Sequence, residues 1–194
     1  MGRIICYGDS NTYGFDPRDP IEKRYLPADR WPELLAARTG REVINLGLNG
    51  RTIPRGNREL DAALSLIGKK LPADCLVIML GSNDALTMDQ PSADRVAARM
   101  DAFLSALSPL RERFPALRIL LISPPRVQIP LAHVQELFLD LVPKYRRLAE
   151  KHRTLFAAAP SWPLPLSADT VHFSADAHHV FAEKLAEHLR EAGV

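Results

Sequence analysis

The chain is organised around an early stretch, Arg3-Ile4-Ile5-Cys6-Tyr7-Gly8-Asp9-Ser10-Asn11-Thr12-Tyr13-Gly14. A short apolar run that is rich in isoleucine and bounded by glycine predicts a buried strand. The run stops at Gly-Asp-Ser-Asn, which are residue types that form turns by bonding to their own backbone. Ser10 is therefore expected where a central strand gives way to a loop, the end of a parallel sheet at which ligands bind. Taken alone, Asp9 and Ser10 fit a turn cap better than a nucleophile, so the rest of the chain has to decide.

Composition and length limit the classes of protein to consider. The chain has 194 residues, of which 46% are hydrophobic and 25% charged, as in an ordinary soluble protein of one domain spanning residues 1–194. A formal charge of +2 is too small to argue for nucleic acid or an anionic membrane as a partner. There is no stretch typical of a membrane span or signal peptide, and we expect a cytoplasmic protein.

The two cysteines and the histidines give no metal-binding pattern. Cys6 and Cys75 both lie in apolar, strand-like runs, which predicts buried free thiols rather than a disulfide. The chain has neither a closely spaced cysteine pair nor a His-Glu-x-x-His sequence. We therefore expect no metal and no cofactor.

Strand patterns alternate with helical patterns along the rest of the chain. Further strands are predicted at 42–46, 74–80, 117–122 and 154–158. Helices are predicted from an Asp29 cap to Gly40, over 58–70, from a Ser92 cap to 113, over 133–152 with a bend or break at Pro143, and from a Ser174 cap to 192. This alternation predicts an α/β fold of three layers, α/β/α, with a flavodoxin-like, doubly wound, five-stranded parallel sheet in the order 2-1-3-4-5.

The carboxyl ends of these strands bring polar positions to one rim. Ser10, Gly50 and Asn83 follow three strands that are neighbours in the predicted sheet, and Asp169 and His172 precede the last helix. A serine nucleophile needs a base within hydrogen-bond reach and a carboxylate that orients the base. A backbone N–H and a side-chain amide are donors of the kind that stabilise an oxyanion. The five positions together therefore indicate nucleophilic catalysis.

Each position also has a plainer interpretation when it is considered alone. Asn83 and Asp169 are turn formers at the ends of elements. His172 competes with other histidines that the patterns place on helices or beside a proline-rich loop, where they are most simply solvated or involved in caps. These are His133, His152, His178, His179 and His188.

Four sequence blocks resemble those of the SGNH hydrolases, also called GDSL-type esterases and lipases. The blocks are Gly8-Asp9-Ser10-Asn11, Asn49-Gly50-Arg51-Thr52, Gly81-Ser82-Asn83-Asp84 and Asp169-Thr170-Val171-His172. The usual first block has leucine where this chain has Asn11. The resemblance implies that Ser10 is the nucleophile, that His172 is the base and that Asp169 orients it. It also implies an oxyanion hole formed by the Ser10 backbone N–H, Gly50 and Asn83.

The resemblance is strongest to small bacterial arylesterase and acyltransferase members, and it implies a serine esterase that acts on small carboxylic esters. Short acyl, aryl or acetyl esters would pass through an acyl-enzyme, with acyl transfer to an alcohol as a second outcome. Alternatives are a carbohydrate O-deacetylase or an acyl thioesterase of the same fold and, in a different class, a flavodoxin-like module that binds phosphate or FMN.

Substrate contacts are harder to predict than the catalytic positions. We expect Asp9, Asn11 and Trp162 to contact the ester, and the loops at 85–91, 124–133 and 161–166 to wall the pocket. The proline-rich excursion at 15–31 either covers the site or forms a subunit interface, and many relatives of this kind associate into homo-oligomers.

Overall fold

One parallel β-sheet forms the centre of the molecule. The computed structural model describes residues 2–19, 21 and 23–194, and within these ranges five parallel strands are ordered β2-β1-β3-β4-β5. The strands are β1 (Arg3–Gly8), β2 (Glu42–Gly47), β3 (Cys75–Met79), β4 (Arg118–Ser123) and β5 (Leu155–Ala158). The predicted sheet order is confirmed, and the first strand lies between the second and third.

Strand register places the ends of the three adjoining strands level with one another. Gly8, the last residue of β1, pairs with Gly47 on β2 and with Met79 on β3. The segments that follow these strands carry the first three of the four blocks. The sheet therefore delivers all three blocks to the same rim.

Helices cover both faces of the sheet and complete the three layers. Helices α2 (Trp31–Thr39) and α8 (Ala175–Glu191) cover one face, and α3 (Gly56–Gly68), α5 (Ala93–Ala106) and α7 (Ala132–His152) cover the other. Strand residues supply alternate side chains to the two cores, since successive side chains of a strand point to opposite faces. Cys6 and Cys75 lie in the core under α2 and α8 as buried free thiols, as predicted.

Two helix boundaries differ from the sequence-based prediction, in each case beside a proline. The single helix expected over 92–113 is divided into α5 and α6 (Ser108–Arg113), and Pro109 stands in the first turn of α6. A proline is tolerated in a first turn, where its missing N–H has no intrahelical acceptor. Helix α2 begins at Trp31 with Pro32 in its first turn, whereas Asp29 belongs to a preceding 3₁₀ turn, Pro27–Asp29.

Helix α7 continues through Pro143, so of the predicted bend or break the break does not occur. It runs from Ala132 to His152 with Pro143 exposed in its interior. One face of α7 is buried by side chains that include Phe138, Leu141 and Tyr145, and this packing holds the helix together where one backbone hydrogen bond is lost. No helix in the described ranges combines the length and apolar character needed to cross a membrane.

Candidate active site

Ser10 stands at the first position of a short helix rather than in the predicted loop. Helix α1 (Ser10–Tyr13) starts directly after β1, with Asp9 as its N-cap. The Asp9 carboxylate accepts a hydrogen bond from the Asn11 N–H at 3.0 Å, which is the usual way an aspartate satisfies the first turn of a helix. The two elements together fix the backbone of Ser10, whose exposed fraction is 7%.

The segment from Asp169 to His172 is held by the aspartate's own side chain. Asp169 Oδ1 accepts hydrogen bonds from the backbone N–H groups of Val171 at 3.1 Å and of His172 at 3.0 Å. Thr170 has a φ of 62°, a left-handed conformation that costs a non-glycine residue free energy and is uncommon outside turns and functional sites. The turn therefore sets the relative positions of the carboxylate and the imidazole before any substrate binds.

The structure joins Asp169, His172 and Ser10 in one hydrogen-bonded chain. Asp169 Oδ2 lies 2.5 Å from His172 Nδ1, and His172 Nε2 lies 3.0 Å from Ser10 Oγ. Partial burial disfavours ionisation of Asp169, but hydrogen bonds from the backbone and imidazole of His172 outweigh it and lower the pKa of the carboxyl. An ionised Asp169 favours the proton on Nδ1, which leaves Nε2 free to accept the hydroxyl proton of Ser10.

Part of the proline-rich excursion covers the imidazole. The Phe15 ring lies against the His172 ring, with 4.6 Å between centroids. The Tyr25 hydroxyl donates a hydrogen bond to the Phe173 carbonyl oxygen at 3.2 Å, next to the histidine. The described part of the excursion is thus a wall of the site, while residues 20 and 22 lie outside the described residues.

Gly50 and Asn83 come to the same rim as Ser10, from the ends of β2 and β3. Asn83 lies in the first turn of α4 (Ser82–Thr87), a short helix where a loop was predicted. Gly50 has a φ of 71°, and a Cβ placed there would meet nothing within 4 Å, so the space beside its backbone is open. Among the described residues, the N–H groups of Ser10 and Gly50 donate no hydrogen bond to the protein. Both are available as oxyanion donors, and the oxyanion hole stays a prediction.

Arg51 is a partly buried cation at the site, and its role was not predicted from the sequence. Its guanidinium donates to the Gly8 carbonyl oxygen at 2.8 Å and also to the Leu46 carbonyl oxygen, and it lies 4.2 Å above the Tyr7 ring. Burial lowers the pKa of Arg51. The side chain ties the Gly50 loop to the last residues of β1 and β2. Residue spacing carries no signal for such a contact, because it joins separate loops.

Asp9 and Asn11 turn their side chains into the protein. Their exposed fractions are 2% and 3%. Burial raises the pKa of Asp9 to about 6, although the hydrogen bond from the Asn11 N–H and the nearby His172 and Arg51 oppose this shift. Asn11 Oδ1 accepts from the Phe173 N–H at 2.9 Å. Both side chains therefore stabilise the local fold, and contact of either with substrate stays a prediction.

Trp162 lines a separate cavity of about 330 Å³. Two of the three loops expected to form the pocket, 124–133 and 161–166, contribute to the cavity wall together with residues of α7 and of the segment after β5, while no residue of 85–91 lines it. Its described lining residues are Arg126, Val127, Gln128, Gln135, Ala159, Pro160, Trp162, Leu164 and Leu166. None of them belongs to the Ser10–His172–Asp169 chain, so contact of Trp162 with the ester also stays a prediction.

His178 was predicted to be solvated or involved in a helix cap, and the prediction of a solvated side chain is wrong. Its exposed fraction is 0%, and burial lowers its pKa to about 3. His178 Nδ1 accepts a hydrogen bond from the Trp31 N–H at 3.4 Å. The signal in the sequence is the spacing of His178 from Phe181 and Leu185, which places all three on the buried face of α8.

Comparison with known proteins finds one matching family and similar solved structures. Residues 6–180 match the model of the GDSL-like lipase/acylhydrolase family. The chain is similar to the native aryl esterase of M. smegmatis, with 27% identity, a TM-score of 0.84 and coverage of 98% of this chain and 99% of that chain. A carbohydrate acetylesterase family member from Sinorhizobium meliloti shares 26% identity, with a TM-score of 0.82 and coverage of 98% of both chains. No curated protein sequence matches the chain.

Proposed function

The chain belongs to the GDSL-like lipase/acylhydrolase family and is a carboxylic ester hydrolase, and we propose that it cleaves small esters through an acyl-enzyme on Ser10. The hydrogen-bonded chain from Asp169 through His172 to Ser10 is the observation that carries the proposal. This pairing is what nucleophilic attack by serine requires, since a hydroxyl is a weak nucleophile until a base accepts its proton.

In the proposed mechanism, His172 acts first as a base and then as an acid. Its Nε2 accepts the proton of Ser10 Oγ as that oxygen attacks the ester carbonyl, and the resulting imidazolium faces the Asp169 carboxylate. The imidazolium then protonates the departing alcohol, which leaves an acyl group on Ser10. Water, or a second alcohol in the acyltransferase reaction, takes the place of the first alcohol and releases the acyl group by the same steps.

Charge on the carbonyl oxygen is stabilised by three donors in this proposal. They are the Ser10 and Gly50 backbone N–H groups and the Asn83 side-chain amide. The two N–H groups make no hydrogen bond within the described protein, so no internal contact has to break before they bind the oxyanion. Removal of one such donor typically lowers turnover by about 10²–10³-fold.

The proposed substrates are esters with a short acyl group on an aryl or small alkyl alcohol. Similarity to the M. smegmatis aryl esterase supports this class. A second candidate is the O-acetyl ester of a carbohydrate, which the similarity to a carbohydrate acetylesterase family member supports. A panel of p-nitrophenyl esters, aryl acetates, acetylated sugars and acyl-CoA thioesters separates these classes by kcat/KM.

Replacement of the nucleophile tests the mechanism. We expect Ser10→Ala to abolish hydrolysis of every ester that the wild type cleaves, because no hydroxyl remains to be acylated, and to leave the circular dichroism spectrum unchanged. Ser105→Ala is a matched control, since the Ser105 hydroxyl donates to the Asp101 carbonyl oxygen at 2.9 Å within α5. Turnover by Ser10→Ala close to that of the wild type would contradict the proposal.

A further inference from the structure

Asp84 is a fully buried carboxylate that the proposed chemistry does not use. Its exposed fraction is 0%, and it lies in α4 beside Asn83. Asp84 Oδ1 accepts a hydrogen bond from Arg99 Nη1 at 2.7 Å, and Oδ2 accepts one from the Ile53 backbone N–H at 2.9 Å. A buried carboxylate is costly unless it is paired and hydrogen-bonded, and these two donors come from different parts of the fold.

Asn83 and Asp84 are neighbours in α4, and both side chains hydrogen-bond to the backbone of residues 51–53. Asn83 Nδ2 donates to the Arg51 carbonyl oxygen at 3.0 Å, while Asp84 accepts from the Ile53 N–H. This hydrogen-bonded segment begins immediately after Gly50. These bonds limit how far the chain that follows Gly50 can move relative to α4.

Arg99 fixes the carboxylate from the other side. It lies on α5, and the exposed fraction of its side chain is 22%. Its bond to Oδ1 leaves Oδ2 directed at the backbone N–H of Ile53, so each carboxylate oxygen has its own donor. The ion pair connects the rim of the sheet to a long helix whose face is buried in the core.

We propose that Asp84, braced by Arg99, is a positioning residue that holds the Gly50 backbone at a fixed spacing from the Asn83 amide. This inference rests on the proposed esterase function, because it concerns two of the three oxyanion donors. Displacement of a catalytic group by about 1 Å can lower a rate about 100-fold. Loss of the carboxylate is therefore expected to slow acylation although Asp84 touches no reacting atom.

The experiment measures the rate of acylation at each active site, separately from the number of active sites, which the burst amplitude reports. Asp84→Asn keeps the shape of the side chain but presents an amide NH₂ to one of two donors. With p-nitrophenyl acetate in rapid mixing, we expect a burst of wild-type amplitude, a per-site acylation rate about 10- to 100-fold lower, and KM within about threefold of the wild type. A merely structural role predicts the reverse, a smaller burst amplitude with an unchanged rate per site.

Two further comparisons separate positioning from general damage. The combined loss of rate in the variant that carries both Asp84→Asn and Asn83→Ala is expected to be smaller than the product of the two single losses, since Asn83→Ala already removes one of the two donors whose spacing Asp84 fixes. Arg99→Lys is expected to retain the rate within about threefold, whereas Arg99→Met loses it, and this pair decides the question if Asp84→Asn does not fold. Arg95→Met is the matched control, because Arg95 lies on the same helix and donates to the carbonyl oxygens of Asp89 and Gln90 instead.

The outcomes distinguish this inference from the proposed function. If Asp84→Asn and Arg99→Met both acylate at the wild-type rate per site, the positioning role is overturned and the serine mechanism is unaffected. Multiplicative losses in the double variant overturn it as well. A wild type whose hydrolysis does not depend on Ser10 removes the serine mechanism, and the role of Asp84 falls with it.

Discussion

Two carboxylates near His172 have environments that shift their pKa values in opposite directions. Asp169 accepts hydrogen bonds from two backbone N–H groups and the imidazole, which lower its pKa despite partial burial. Asp9 accepts one such bond and lies in the interior, so burial raises its pKa to about 6. The difference follows chiefly from burial, since Asp9 is 2% exposed whereas the Asp169 side chain is 32% exposed, so that its hydrogen bonds outweigh the smaller cost of desolvation. The lowered pKa keeps Asp169 charged beside an imidazolium. The raised pKa means that ionisation of Asp9 at neutral pH lowers the stability of the fold.

Asp9→Asn is expected to stabilise the protein at pH 7 and to have little effect near pH 4. The pKa of Asp9 is higher in the folded state, about 6 against 3.8, so the folded state holds its proton more tightly and stability falls as pH rises between these values. The asparagine oxygen still accepts the Asn11 N–H and carries no charge, which predicts a gain of up to about 3 kcal/mol in the free energy of unfolding at pH 7.

Urea unfolding of both proteins at the two pH values measures this difference. An equal change at both pH values would contradict the role of ionisation. Asp9→Ala serves as the control, since it removes the charge and also the cap. The KM of Asp9→Asn tests the predicted contact of Asp9 with the ester at the same time.

At the scale of elements, what the sequence predicts depends on how long the signal is. The five strands of the described residues were all predicted, because apolar runs such as Ile4 to Tyr7 are buried on both faces of a parallel sheet. The short helices α1 and α4 were missed, since four to six residues cannot display a helical period. Two predictions at prolines were wrong. Pro109 was placed inside one helix but lies in the first turn of a new one, and Pro143 was expected to bend or break a helix that continues through it. Packing against the core decides between these outcomes, and local sequence does not contain it.

Pro143→Ala is expected to raise the free energy of unfolding by about 1–3 kcal/mol. Alanine restores an N–H that can bond to the carbonyl oxygen of Leu139, one turn earlier, and it is the best helix former. Pro143 is exposed, and Leu139 is 44% exposed, so the change leaves the buried face of α7 intact. Urea denaturation measures the gain, with Arg147→Ala on an exposed position of the same helix as control. A loss of stability would mean that the proline ring packs favourably where it stands.

For the molecule as a whole, the candidate site joins the two ends of the sequence. Ser10 and His172 are 162 residues apart in the chain, and spacing predicted that both reach one rim because sheet order brings them there. The bonds that set their distance could not be predicted. Asn11 Oδ1 accepts the Phe173 N–H, and Asn11 O accepts Trp31 Nε1–H at 2.9 Å. These pairings depend on side-chain directions across three separate segments, for which a single sequence has no periodic signal.

Asn11 is the position at which this chain departs from the leucine usual in the first block, and Asn11→Leu tests what the departure does. Leucine cannot accept the Phe173 N–H, and an unpaired buried donor costs about 1–3 kcal/mol, which we expect as a loss in the free energy of unfolding. Because His172 precedes Phe173, its imidazole would also lose a support toward Ser10, and kcat is expected to fall by up to about 100-fold.

Thr12→Val is the matched control for Asn11→Leu. Thr12 is a buried neighbour in α1, and within the described residues its hydroxyl has no hydrogen-bond partner, so valine removes no bond and stability and kcat should stay near wild type. Urea denaturation and p-nitrophenyl acetate kinetics on the two variants compare a lost bond with a lost hydroxyl in the same helix. If Asn11→Leu kept both stability and kcat, the Asn11–Phe173 bond would not be what holds the first and last blocks in register, and the Asp169 turn together with the Phe15 contact would have to position His172 by themselves.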